Sequence, residues 1–467
     1  MIQESSGLAL EGPLWALPTL GGTASRLDDV VAHDASWSPD GKRIVYANGY
    51  DLLLANADGT ESRKLATASG RAFWPRWSPD GSLLRFTVLD SRTHSLSLWE
   101  VKPDGSNLHA LLPGWNSPPF ECCGNWTPDG KYFVFQASRN GEDNIFVTRE
   151  NSGLLHKRHP EPVQLTAGPL AYRAPVPSKD GKRVFVVGVR DQGELWRPGS
   201  NGREWVPFHA ELAAYTAAYS RDGQRIAYLK SDGTLWTSDV DGGSRLQLTF
   251  PPMKILMDAQ WSPDGKRIAF MGRLPGKPWK IYLISAQGGT PQRLLPGDLN
   301  EADPRWSPDG NLLVFGRTPD YMGDPSTLKA LYVVDLKTNS VSTLPGSEGL
   351  FSPRWSPDGR YIVAMPLDQR KLVLFDFKSQ KWVELAPWAA HNPVWSWDST
   401  YVYFQTGDEL YRVRCSDRTL ERIAGLSDVR IADTTGWAFS SLDLDNSPLM
   451  YLFRNSSDIY ALEWEAH

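Results

Sequence analysis

The sequence predicts an all-β protein: a β-propeller of about ten four-stranded antiparallel repeats. Three observations predict it. First, Trp37-Ser38-Pro39-Asp40-Gly41 returns along the whole chain, with near copies starting at Trp77, Trp126, Trp261, Trp306 and Trp355, and weaker ones at Pro177, Tyr219, Trp395 and Leu442. Second, successive copies lie between 40 residues (Trp37 to Trp77) and 51 residues (Trp126 to Pro177) apart. A self-similar period of that size marks propellers and solenoids. Third, short β-rich runs bounded by Gly, Pro, Asp and Asn fill the intervals, and helical periodicity is almost absent.

Each copy reads as the corner between a blade's first two strands, a and b. An apolar or aromatic residue ends strand a. Pro presets the turn's second position, Asp bonds its own backbone, and Gly takes positive φ. Strand b follows, as in Ile44-Val45-Tyr46, Ile268-Ala269-Phe270 and Leu313-Val314-Phe315. A second hairpin supplies strands c and d. Leu52-Leu53-Leu54 runs into Asn56-Ala57-Asp58-Gly59, and Ile281-Tyr282-Leu283-Ile284 into Gln287-Gly288-Gly289. Asp-Gly and Gly-Gly between apolar runs are strong hairpin signals. One such sheet cannot bury both faces alone, and stacking sheets around an axis solves that.

In chain order, Pro13 to Leu27 reads as the c and d hairpin of a blade without its own a and b strands. At the other end, Gly436 onward supplies strand a, strand b (Pro448 to Tyr451) and strand c (Asp458 to Leu462). Thr23 to Leu27 is one candidate for the missing strand d of that last blade. Glu204 to Pro207 is the other, and it would close motifs five to ten into a six-bladed ring. Two tandem rings are favoured over one large ring. The expected division is 1–203, four motifs behind a leading half-blade, and 204–467, a six-bladed propeller. Longer insertions are expected at Asn140–His159 and Thr318–Thr327.

Composition narrows the function classes. The 467 residues include 20 Trp, 40 Gly and 35 Pro, which suits many short strands and tight turns. A net charge of −5 argues against nucleic-acid binding by this chain alone. Three Cys without metal-like spacing exclude a disulfide scaffold. Adjacent Cys122 and Cys123 read as two partly buried thiols rather than a vicinal disulfide. The first residues lack the basic region and apolar run of a signal peptide, and no apolar stretch is long enough to span a bilayer.

The repeated Trp-Ser-Pro-Asp-Gly-Lys-Arg element resembles the TolB-like, WD-repeat-related propeller family over nearly the whole chain. More closely, Glu11 to Trp15, Glu121 to Trp126, Gln164 to Gly168, Leu248 to Pro252 and Asp458 to Trp464 resemble the propeller region of acidobacterial-type regulators. Those proteins carry a winged-helix DNA-binding domain and a membrane segment. The resemblance implies an extracytoplasmic, periplasmic sensing or interaction module in bacterial signalling. This chain departs by lacking the DNA-binding and membrane parts, which fits a fragment or a stand-alone derivative.

The motif aspartates (Asp40, Asp80, Asp129, Asp180, Asp222, Asp264, Asp309, Asp358) look like a carboxylate set, yet each serves its own turn. A Gly-x-Ser-x-Gly nucleophile elbow is absent, so a peptidase domain is not expected. His156 and His159 read as a solvated basic loop. By resemblance, TolB-like propellers that cleave acidic polysaccharides hold several His around a metal at the ring mouth. His33 and His391, each a few residues before a motif, are the candidates for such a mouth. Trp115 and Trp388 are candidate anchors for a partner. No catalytic residue, metal site or cofactor is assigned. The expected function is a non-enzymatic scaffold or sensor that binds a protein or peptide; the alternative is an axial-site enzyme, polysaccharide lyase-like, or a sugar-binding propeller.

Overall fold

The computed structural model describes residues 2–3, 11–18, 20–90, 93, 95–139, 142–150, 161–168, 170–190, 193–199, 204–317, 329–388, 390–429, 431, 436–453 and 456–463. Among them the only helical elements are two three-residue 3-10 turns, Ala210–Leu212 and Leu426–Asp428. Among the described residues no helix is long and apolar enough to cross a membrane. The strands form antiparallel sheets throughout, as the repeat predicts.

The chain divides into two compact units, Met1–Arg190 with Ser456–His467, and Asp191–Asn455. In the second unit every sheet has four strands, and the inner strands are neighbours around a closed ring. These inner strands are Ala214–Tyr219, Lys254–Trp261, Ala302–Trp306, Leu350–Trp355, His391–Trp395 and Gly436–Leu442. The ring closes where Gly436–Leu442 and Pro448–Phe453 pair with Gly193–Pro198 and Trp205–Pro207. The first unit stacks its sheets in sequence order, from the hairpin Gly12–Ala16 and Ser25–Ala32 to a sheet of Ala171–Pro177, Arg183–Arg190 and Ser456–Glu463.

Two strand assignments differ from expectation. Asp458 to Leu462 is not strand c of the last motif; it pairs with Arg183–Arg190. Ser25–Ala32 stays with its own hairpin and closes nothing else. The reason is physical. Two c-type strands with similar apolar alternation compete for each b strand, and only pairing distant in sequence selects between them. Of the expected insertions, Glu142–Arg149 is a strand, while 151–160 and 318–328 lie outside the described residues. His94, His156, His159 and His467 lie outside them too.

The motif folds because one hydroxyl works twice. Ser262 Oγ donates to Asp264 Oδ1 (2.6 Å) and accepts from Arg267 N–H (2.9 Å). Asp264 Oδ1 also accepts from Lys266 N–H (3.1 Å), and Gly265, at φ 68°, donates to Ser262 O (2.9 Å). The same hydroxyl–carboxylate bond recurs at Ser38, Ser78, Thr127, Ser178, Ser220, Ser307, Ser356 and Ser396. The Ser262 hydroxyl and the Lys266 amide hold the Asp264 carboxyl below its usual range, and Asp309 is lowered to about 2 in the same way.

The turn aims the motif Trp at the preceding blade. Trp261 Nε1–H donates to Ala218 O (3.0 Å), Trp306 to Gln260 O (3.1 Å) and Trp395 to Arg354 O (2.9 Å). The residue six positions after the preceding motif's start covers the indole: Arg225 over Trp261 (5.3 Å), Arg267 over Trp306 (5.0 Å) and Tyr361 stacked with Trp395 (6.3 Å). Each contact joins neighbouring blades by burial, a hydrogen bond and ring stacking at once.

Next to the closing blade, Tyr219 stands at the position that seven copies fill with Trp. Its hydroxyl donates to Asp443 Oδ1 (2.7 Å), Leu444 N–H donates to the same oxygen (2.7 Å), and Arg197 pairs with Oδ2. Ser441 Oγ–H adds a bond to Ala217 O (2.6 Å). Asp443 therefore ties the last motif, the first motif of the ring and the closing strand together. Asp443→Ala leaves a buried phenol and a backbone amide unpaired. It is expected to cost about 3 kcal/mol, read as a lower urea midpoint for the 191–455 unit. An unchanged midpoint would show that the closure does not rest on this carboxylate.

Candidate functional site

The motif turns of the second unit converge on a cavity of about 380 Å³. Every lining residue comes from a motif or the position just before one. The aromatic part is Tyr219, Trp261, Trp306, Trp355 and Trp397, with Pro263, Pro308 and Pro357 between them. Arg221, Gln260, Arg305, Asp358 and Asp398 supply the polar part.

Two departures from the repeat shape this mouth. Trp355 is the exception among the staples: its Nε1–H donates to Gly359 O in its own turn (3.3 Å) and its ring lies flat on Phe377 (5.3 Å, 9°). The residue that would cover it from the preceding blade is Leu312, where the covered indoles above have Arg225, Arg267 or Tyr361. Without a stacking partner on that side, the indole turns toward its own blade. The second departure is at the Pro position, which Lys179, Arg221, Trp397 and Leu444 fill in four copies; of these, Arg221 and Trp397 line the mouth. Arg221 Nη1–H reaches Pro308 O (2.9 Å) across two motifs, and Trp397, 38% exposed, donates from Nε1 to Asp443 O (3.0 Å). A small turn residue is replaced at both places by a long side chain at the rim.

Deeper along the inner strands, a β-bulge breaks the register before each motif. It sets Asp303, Ser352 and Asn392 at positive φ (53°, 53°, 44°). Bulges re-aim side chains. Buried Arg354 uses this: Nη2–H donates to Asn392 Oδ1 (3.2 Å), Nη1–H to Pro353 O (3.1 Å), and Asp303 Oδ2 lies 3.9 Å away. The interior is thus polar and charged, while the mouth is aromatic.

The four candidate residues fall elsewhere. His391 is the exposed first residue of His391–Trp395, at the opposite end of its strand from the motif turn. Trp388, 39% exposed, packs edge-on against Tyr411 (4.7 Å) just before that strand. His33 belongs to the other unit; its Nδ1 meets Asp34 Oδ2 (3.1 Å), and Phe73 and Trp74 pack edge-on against the ring (4.7 and 5.8 Å). Trp115 packs against Phe135 and Phe146 (5.7 and 5.1 Å) under Arg139 (4.8 Å). His33 and His391 therefore lie in different compact units. Among the described residues, no three His, Cys, Asp or Glu side chains are grouped as a metal site requires.

The first unit corrects one expectation. Cys122 and Cys123 are joined as a vicinal disulfide rather than standing as two thiols. Cys123 sits at positive φ (60°) in the bulge between Cys122 and Asn125. A regular strand sends consecutive side chains to opposite faces, and the bulge removes that alternation. Next to it, Glu121 is 1% exposed, and burial pushes its carboxyl up to about 8 against the Phe120 amide that donates to it. A raised folded-state value means that the folded chain keeps a proton that the unfolded chain releases near the ordinary glutamate value. Stability therefore falls as pH rises from about 5 to 8, by at most about 1.4 kcal/mol per pH unit. Glu121→Gln is expected to remove that fall in urea titrations at pH 5 and 8. A parallel decline in both proteins would rule out Glu121 as its source.

Residues 199–427 match the model of the TolB beta propeller domain. An uncharacterized protein of Agrobacterium fabrum is 27% identical over 150 residues, 31% of this chain and 46% of that one. Dipeptidyl-peptidase 5 of Porphyromonas endodontalis is 24% identical over 265 residues, 50% of this chain and 35% of that one. The Tol-Pal system protein TolB of Nitratidesulfovibrio vulgaris is 38% identical over 53 residues, 11% of this chain and 12% of that one. The chain thus spans less than half the length of these curated relatives. Among solved structures, a putative TolB from Agrobacterium tumefaciens is 18% identical, covers 56% of this chain and 98% of its own, and has a TM-score of 0.42. An oligogalacturonate lyase from Vibrio parahaemolyticus is 13% identical, covers 83% and 98%, and has a TM-score of 0.38. The chain carries a TolB-like β-propeller domain over residues 199–427.

Proposed function

We propose that the 191–455 unit is a non-enzymatic binding propeller that takes a protein or peptide segment at its motif-turn mouth. One observation carries this reading: an aromatic cavity of about 380 Å³ whose rim includes Arg221 and Trp397, two of the four residues that replace the turn proline. A concave apolar site with a few placed polar groups is the usual form of a ligand pocket. Trp and Arg are the side chains that most often dominate binding energy. The motif carboxylates are occupied by their own turns, so they support the turn rather than acid–base chemistry. The setting proposed is a bacterial envelope or signalling assembly. The finer likeness to propellers of winged-helix regulators, and a periplasmic location, belong to this proposal and rest on sequence resemblance.

The test is affinity capture from extracts of the source organism, read by mass spectrometry, with wild type and the Trp397→Ala/Arg221→Ala double variant. Trp397 is partly exposed, so the variant should keep its thermal midpoint. A stoichiometric protein retained by wild type and weakened at least about 30-fold by the variant supports the reading. Capture that ignores the variant, or a bound sugar or metal in place of a protein, overturns it.

A further inference from the structure

The sheet that ends the first unit has strands a, b and c (Ala171–Pro177, Arg183–Arg190 and Ser456–Glu463), and among the described residues no strand pairs with the outer edge of Ser456–Glu463. We propose that this edge binds an extended segment of a partner protein as strand d, with a basic residue followed by a leucine.

The internal repeat specifies the missing element. Ile459 pairs with Val187, ten residues after the motif start at Pro177. In six other sheets the residue at this register is Leu52, Leu98, Ile145, Leu235, Ile281 or Leu410, while the closing sheet of the 191–455 unit has Glu194 there. Each of those leucines and isoleucines is at most 2% exposed, whereas Ile459 is 77% exposed. In four of those sheets the amide of a strand-d leucine donates to this residue's carbonyl: Leu111 to Leu98 (2.8 Å), Leu165 to Ile145 (2.7 Å), Leu248 to Leu235 (2.8 Å) and Leu294 to Ile281 (2.8 Å). The strand-d leucine then lies beside the strand-c residue in the core, as Leu111 does beside Leu98. Val176 (53%) and Phe185 (38%), paired with each other, extend the uncovered apolar surface next to Ile459.

Charge sets the second requirement. Ser456–Glu463 carries Asp458 and Glu463 and no base. Asp458 directly precedes Ile459, as Asp51 directly precedes Leu52. Asp51 is met from its own strand d by Lys64 Nζ (2.7 Å) and by the Thr67 hydroxyl (2.5 Å). The strand that answers Asp51 reads Arg63-Lys64-Leu65-Ala66-Thr67. A strand of that chemistry would set a basic side chain on Asp458 and a leucine over Ile459. The edge itself is eight residues long and has no proline or lysine, the residues that normally discourage strand addition. Strand addition of this kind takes its affinity from backbone hydrogen bonds and its specificity from alternate side chains.

The experiment uses the full chain and a fluorescein-labelled peptide of its own residues 61–68, Glu61-Ser62-Arg63-Lys64-Leu65-Ala66-Thr67-Ala68. Expected is saturable binding by anisotropy, with slowed amide exchange at 457–463. Ile459→Lys should abolish binding without moving the thermal midpoint. Asp458→Lys should weaken it about threefold or more, and a peptide with Lys64 replaced by Glu should restore binding to that variant. No saturation up to about 1 mM, or binding indifferent to both substitutions, overturns the proposal. So does full amide protection at 457–463 before peptide is added, since the edge would already be covered. Concentration-dependent dimerisation lost in Ile459→Lys would also overturn it, by making a second copy the occupant. The mouth of the 191–455 unit plays no part in this assay, so its result is independent of the function proposed there.

Discussion

The fold depends on a single hydroxyl in nine of the ten motifs, the last having Asp443 in its place. It donates to an aspartate two residues on and accepts an amide five residues on, as at Ser262. That pair of bonds fixes where strand a stops and strand b starts. It thereby fixes which residue of strand a faces the preceding blade, where the indole finds its carbonyl. Backbone register within a blade and packing between blades are set by the same few atoms. A blade built this way needs no long-range information to know its own shape. It needs a neighbour only to bury its faces.

That locality explains what could be read without coordinates. The Trp-Ser-Pro-Asp-Gly spacing located the inner strands, and the chemistry of the turn correctly assigned the aspartates to the backbone. Strand d of the closing sheet, Trp205–Pro207, was one of the two candidates read from the sequence, but strand c was not legible. Gly193–Pro198 and Ser456–Glu463 are both c-type strands, and nothing within either segment says which b strand it joins. The disulfide at Cys122–Cys123 depends on a bulge, a register event between two strands, which residue identity alone does not reveal. The buried Glu301–Lys280 pair was likewise hidden. Glu301 Oε2 accepts the Ile281 amide (3.2 Å) where Thr249 and Ser347 serve the equivalent amides at Leu235 and Leu331. Burial pushes the Glu301 carboxyl up and the Lys280 ammonium down, each against the pull of the other.

The candidate site was legible in an unexpected way. The residue types that suggest a site, His33, His391, Trp115 and Trp388, do not line the motif-turn mouth, and His33, Trp115 and Trp388 pack against aromatic rings. The mouth is instead built where the repeat fails: Arg221 and Trp397 at a proline position, and Trp355 turned because Leu312 stands where an arginine or tyrosine would cover it. In a repeat protein the consensus positions answer to folding. A departure that leaves the blade intact is under a different constraint, so departures that cluster in space mark a surface more sharply than any residue type does.

The connectivity adds a dependence between the two units. Residues 191–455 are inserted between two strands that pair with each other, Arg183–Arg190 and Ser456–Glu463. Closing a flexible loop of that length costs more than closing a hairpin, though each doubling adds only about 0.6 kcal/mol. The inserted unit removes even that cost once folded, because Gly193 pairs with Phe453 in its own closing blade. The chain leaves and re-enters the first unit within three residues of that pair on either side, at Arg190 and Ser456, which themselves pair. Closure of the ring by Asp443, Tyr219 and Arg197 therefore brings together the ends from which the last sheet of the first unit is built.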